Sequence, residues 1–368
     1  MATARVKTKL PTIRGAKPSL RNAQLLISSG LPSLDNVIGG GLPIGSILLI
    51  EEDRFDVHAK IILKYFMAEG IVTSQPLLVA SNDVETAQLV SELPAVTNDD
   101  AESDKRPEDK TDKEMKIAWR YQNMKMVDSS PEGGQTRGFG HYYDLSSTMQ
   151  EDLIKTANIK HWHACYWPDQ NHMFTNKAYY DLLRTIQRTL HEGQYFLSET
   201  PRERNILRIA LHSLGSRLWL SDRDRSSNDD LVKFFYCFRT LLRNSYAVGV
   251  TTVPFYNFEH STVIERLEHM SDIAIRLKSF ADFPEETDPL FKDYHGVLQM
   301  KKLPALSSLA PHCPVHRDLV FKLRRKKFVI EILHLQPEFN DTAQREQDET
   351  TESISGCTSG SHNNLLDF

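Results

Sequence analysis

The chain has 368 residues, 40% hydrophobic and 25% charged, with a net charge of −5, a balance that excludes a wholly disordered polymer and fits a soluble globular protein. No apolar run approaches the roughly 20 residues of a helical membrane span, so no membrane partner is expected. Cys165, Cys237, Cys313 and Cys357 are far apart and form no CxxC pair, which excludes a disulfide framework and fits a reducing compartment such as the cytoplasm.

The charge is unevenly spread. Residues 1–21 carry six basic residues and no acid, and Pro11 and Pro18 interrupt any amphipathic transit helix, so this stretch predicts a disordered basic arm. A folded domain is predicted over 22–336, opening on Gly30 to Lys64, GLPSLDNVIGGGLPIGSILLIEEDRFDVHAKIILK. Gly39 to Gly41, Pro43 and Gly45 mark turns, and Ser46 to Ile50 form a short, fully apolar central strand. Asp56 is placed to cap a helix whose apolar face is Val57, Ile61, Ile62, Tyr65 and Phe66.

A phosphate-binding loop requires G-x-x-x-x-G-K-[ST] between such a strand and helix. The loop here reads EEDRFDVHAK. It lacks glycine, its carboxylates Glu51, Glu52, Asp53 and Asp56 would repel a triphosphate, and His58-Ala59 stand near the positions of the Lys and Ser/Thr.

Leu77 to Ala80 predict the next strand, and Asp83 starts a helix through Leu89 and Val90 that Pro94 ends. Residues 97–116 hold eight acids and five bases and predict a disordered acidic insertion. Residues 129–175, rich in Gly, His and aromatic residues without periodicity, predict an irregular excursion.

Asn176 to Glu192 return to helix, and Ile206 to Leu211 form a strand ending in His212-Ser213, where a nucleotide hydrolase carries an Asp for its Mg²⁺. Helix 229–243, strand 247–253, helix 261–271 and strand 273–277 continue the alternation that implies a mostly parallel sheet. Strand 296–301 and a hairpin of Leu319 to Arg324 and Lys327 to Leu335 add antiparallel strands. The acidic stretch 337–368 predicts a disordered tail.

The segment GLPSLDNVIGGGLPIGSILLIEED resembles the opening of RecA-like ATPase domains. Together with its vacated loop, AVGVTTVPF, STVIERLEHMSDIAIRL and KKFVIEILHL, the chain is similar to the fourth-subunit family of the Elongator complex. The fold class is α/β: a RecA-like domain with a mostly parallel twisted sheet flanked by helices and antiparallel strands at the C-terminal end. The resemblance implies a non-catalytic structural and tRNA-handling subunit. Its partners would be the fifth and sixth Elongator subunits in a heterohexameric ring, the larger catalytic subunits, and tRNA whose wobble uridine is modified. It implies the cytoplasm, with the nucleus as a further location, and no cofactor. The alternative is a RecA-like ATPase or recombination-type motor with a non-standard nucleotide site.

Other motifs are weighed against simpler roles. His161, His163, Cys165 and His172 could ligate zinc, but H-x-H-x-C is no finger spacing and aromatic packing is the default, so no metal site is assigned. GGQTRGFG follows no apolar strand and reads as a loop. Arg324, Arg325, Lys326 and Lys327 at the hairpin turn are the RNA-binding candidates, and lysines that protect an edge strand are the equal alternative. No catalytic residues are assigned.

Overall fold

The computed structural model describes residues 12–19, 24–97, 140–164, 174–219, 227–258, 261–282, 291, 294–306, 314, 318–324 and 326–333. Six parallel strands form the framework: β4 (Ile47–Glu51), β5 (Leu77–Ser81), β8 (Ile159–Trp162), β9 (Leu207–His212), β10 (Ala247–Val253) and β11 (Ile273–Ser279). Three antiparallel strands extend it: β12 (Gly296–Lys302), β13 (Leu319–Arg324) and β14 (Lys327–Ile332). The order is β14-β13-β12-β11-β4-β10-β9-β5-β8. Strand β4 therefore lies between parallel neighbours, as its apolar sequence requires.

Successive residues of β4 serve opposite faces. Leu48 and Ile50 pack with α2 (His58–Val72) and α3 (Thr86–Ser91), whereas Ile47 and Leu49 pack with α5 (Lys177–Glu192), α6 (Ser227–Arg243) and α7 (Ser261–Met270). Helices thus cover both faces, the α/β arrangement expected from the alternation. The crossovers through α2, α5, α6 and α7 link parallel strands, as does the longer connection from β5 to β8.

Several segments differ from expectation. Within the arm, β1 (Ala16–Pro18) pairs with β2 (Leu25–Ile27), which pairs with β3 (Leu42–Pro43), and Ile13 is buried. Residues 12–19 are held there because the apolar residues of β2 need a cover. Between β2 and β3 lies α1 (Pro32–Val37), too short to show a periodicity; Pro32 suits its first turn. The excursion 129–175 also carries order, since β7 (Tyr142–Thr148) pairs with β6 (Pro94–Thr97), α4 (Glu151–Thr156) follows, and β8 joins the main sheet beside β5. β8 reads IKHW, four residues of mixed polarity whose strand state comes from pairing. The insertion beyond Thr97, the loop 133–139 and the tail from 334 onward lie outside the described residues.

Candidate functional site

Strand β4 delivers the loop 52–57 to the carboxyl end of the sheet, where α2 begins. Asp53, buried to 1% exposure, turns back onto that helix start. Its carboxylate accepts the backbone N–H groups of Val57, His58 and Ala59 at 3.2, 3.0 and 3.2 Å, and meets His58 Nδ1 at 3.1 Å. A helix N-terminus offers unsatisfied N–H groups and the positive end of the dipole, the features by which a phosphate loop holds its anion. Here the chain supplies the anion itself. Burial raises the Asp53 pKa, but His58 and the backbone N–H groups outweigh it and hold the carboxyl below its usual range. The capping role expected of Asp56 belongs to Asp53; Asp56 has φ of +50° and faces elsewhere.

The other loop acids are equally engaged. Glu51 lies opposite Arg276 in the parallel register of β4 and β11 and accepts its guanidinium N–H. Burial and the neighbouring Glu268 nevertheless raise Glu51 to about 7. Glu52 is fully buried, accepts Ser213 Oγ at 3.3 Å, and is pushed up to about 8 by burial and then by Asp56. Its Oε1 has no hydrogen-bond partner among the described residues. Asp56 contacts His212 Nε2 at 2.8 Å, while His212 Nδ1 lies 3.0 Å from Ser81 Oγ.

Ser81 Oγ already accepts the N–H groups of Asp83 and Val84 at 3.1 Å each. Its proton therefore points to His212 Nδ1, so neutral His212 carries its own proton on Nε2 and donates it to Asp56. The Ser-His-Asp order is that of a hydrolytic triad, but Ser81 is buried beneath two N–H donors and serves a turn. At the end of β9, where a hydrolase holds a metal-shell Asp, His212 locks the loop to the sheet.

Above this packed layer a cleft of about 980 Å³ opens at the carboxyl ends of β4, β9, β10 and β11. Its rim includes Arg54, Phe55, Arg217, Leu218, Tyr256 and Lys278. Phe55, Leu218 and Tyr256 are 61%, 64% and 45% exposed. This is the crevice in which open α/β sheets bind ligands, and the acids in its lining are Asp83 and Asp282.

The basic hairpin is separate from that cleft. Lys326 Nζ lies 3.2 Å from Asp144, and Lys327 Nζ lies 5.0 Å from the centre of the Tyr142 ring, so β7 engages both. Arg324 is exposed, and Arg325 is outside the described residues. Of the candidate zinc ligands, His161 bonds Thr86 Oγ1 and stacks on His163; Cys165 and His172 are outside the described residues, among which no group of three metal-ligating side chains occurs. Sequence reasoning missed Asp53 as the internal anion and Arg54 and Phe55 as rim residues. Only the absence of glycine hinted that the loop folds onto itself.

Comparison with known proteins adds a family. A family model described as PAXNEB protein matches residues 9–368. Elongator complex protein 4 of Danio rerio is 42% identical over 96% of this chain and 92% of that protein. The Homo sapiens protein of that name is 39% identical over 92% of this chain and 83% of the relative, and the Drosophila melanogaster one is 31% identical over 100% of both. Among solved structures, the KaiC-like protein PH0186 from Pyrococcus horikoshii OT3 overlaps with a TM-score of 0.44 at 13% identity, covering 83% of this chain and 98% of that one.

Proposed function

The chain belongs to the PAXNEB family and to that of the Elongator complex protein 4 sequences, and from that premise we propose that it is a non-catalytic structural subunit of Elongator. In this reading it takes a place in a heterohexameric ring with the fifth and sixth subunits, docks on the larger catalytic subunits, and helps present tRNA for modification of the wobble uridine. It works in the cytoplasm, with the nucleus as a further location.

The observation that carries the non-catalytic reading is Asp53. A carboxylate held by three backbone N–H groups at the start of α2 fills the position a nucleotide phosphate would need. Binding ATP there would require extracting a buried anion and then placing the phosphates beside Asp56. A RecA-like domain without nucleotide chemistry retains its heterologous surfaces and so can still form a ring.

Sedimentation of the full chain, alone and co-expressed with the fifth and sixth Elongator subunits, tests the reading. A six-chain species formed only with both partners is expected, and a chain indifferent to them overturns it. Titration of the isolated chain with Mg-ATP is expected to give no binding in the micromolar range; stoichiometric micromolar binding would restore the motor alternative.

A further inference from the structure

The cleft above the vacated loop is built unlike an empty nucleotide site. Arg54, Arg217 and Lys278 stand exposed around it, and among the described residues none makes a side-chain hydrogen bond or ion pair. Between them Phe55, 61% exposed, and Tyr256, 45% exposed, present aromatic surface to solvent. Exposed aromatic rings are costly without a role, and here they occur beside uncompensated cations around a single cavity of about 980 Å³. Cations that track a phosphate backbone, interleaved with rings on which bases stack, are the recognition chemistry of single-stranded nucleic acid.

The acids near the cleft are already partnered. Outside its lining, Asp53 is compensated by the α2 N-terminus, and Asp56 lies 3.3 Å from Lys60 Nζ and accepts from His212; within the lining, Asp83 accepts from Ser216 Oγ. Asp83 and Asp282 remain on the rim and oppose deep entry of a phosphate. A strand lying across the mouth keeps its phosphates on the rim cations and only its bases inside.

We propose that this cleft holds an unpaired RNA segment, with Arg54, Arg217 and Lys278 on its phosphates and Phe55 and Tyr256 stacking its bases. This rests on the tRNA-handling reading and assigns it a place distinct from the basic hairpin. A duplex, whose bases are already stacked, gains nothing from the rings.

The test uses the complex of the full chain with the fifth and sixth subunits. A labelled single-stranded oligouridylate and a duplex are titrated by fluorescence anisotropy across a salt series, and a 4-thiouridine oligonucleotide is photocrosslinked and its peptides mapped. Crosslinks within 54–57 and 254–257 are expected. F55A/Y256A should weaken single-strand binding about tenfold or more while leaving duplex binding unchanged. R54S/R217S/K278S should lower the salt slope by about 2. Every substitution is at an exposed side chain, and unchanged thermal melting and sedimentation confirm that the variants fold and assemble.

Crosslinks confined to 322–327 or to other chains, with wild-type affinity in F55A/Y256A, overturn the proposal while leaving the subunit reading intact. A complex that assembles but binds no RNA overturns both this proposal and the tRNA-handling reading. Variants that bind RNA normally but no longer assemble would assign the cleft to subunit docking and overturn it as well.

Discussion

Asp53 shows how one side chain can both remove a chemistry and stabilise what is left. Replacing it with Ala leaves three N–H donors at the start of α2, two of them buried, without their acceptor and His58 without its partner. The expected loss is about 2 kcal/mol, the upper end of the capping range, read as a lower urea midpoint at unchanged slope. A loss below ~0.5 kcal/mol would show that the N–H groups find other acceptors and that the internal anion is dispensable. Glu52 makes the opposite demand. Its folded pKa stands near 8 against an ordinary value of 4.5, because burial and Asp56 disfavour its charge. The folded state therefore keeps a proton that the unfolded chain releases, and the contribution of Glu52 is fully present below about 4.5 and falls as pH rises to about 8. Glu52→Gln removes that proton linkage. The variant is expected to be more stable than wild type at pH 8.5, with the difference shrinking toward pH 5; a constant difference across this range would refute the assignment.

At the scale of elements, what could be read from sequence depended on length and periodicity. Helices α5 and α6 and strands β10 and β12 to β14 fall within a few residues of expectation because each carries enough apolar positions to fix its period. Among the pieces that escaped, β1, β8 and α1 have three, four and six residues, too few to show a period, and β7, with seven, is strand only through its pairing with β6. The choice between Asp53 and Asp56 as cap was equally hidden, since both precede the helix and only the positive φ of Asp56 decides it. The glycine pattern was legible for a firmer reason. Gly30 has φ of +83°, and a Cβ there would lie 2.2 Å from the carbonyl oxygen of Tyr65, so the turn before α1 and the body of α2 touch backbone to side-chain position. Gly30→Ala is expected to destabilise the chain by about 2 kcal/mol or more, through the clash and the strained backbone together. A melting temperature within one degree of wild type would mean that α1 shifts freely away from α2. On the hairpin, Lys326 and Lys327 are already engaged by β7, so replacing both with Ser should loosen the anchoring of Tyr142, read as a lower melting temperature.

Across the whole molecule, the end of β2 in the small sheet β1-β2-β3, α2, β9 and the segment leading into β7 meet at one buried charge. Arg208 points from β9 into the core, fully buried, and donates to Gln75 Oε1 at 2.6 Å, Ser28 O at 2.9 Å and Phe66 O at 3.1 Å. Around it, Asp35 accepts from Ser28 Oγ and Ser29 N, and Glu69 accepts from Tyr143 OH at 2.6 Å and His141 N at 3.1 Å. Burial lowers the Arg208 pKa to about 10, which leaves it cationic at neutral pH and able to offset Glu69, whose own pKa is depressed against burial by His141 and Arg208. An apolar strand reading LRIALH gives no sign that its one arginine faces the core. Removing a single member of such a network strands the others, so Arg208→Met should cost about 3–5 kcal/mol. Adding Glu69→Gln removes the stranded anion, and the double variant should recover part of that loss in a double-mutant cycle. Strictly additive effects would show that Arg208 acts only through its bonds to Ser28, Phe66 and Gln75. Recovery would show that β9 and α2 are joined by charge compensation, while the bond from Arg208 to the Ser28 carbonyl ties the small sheet to the same side chain.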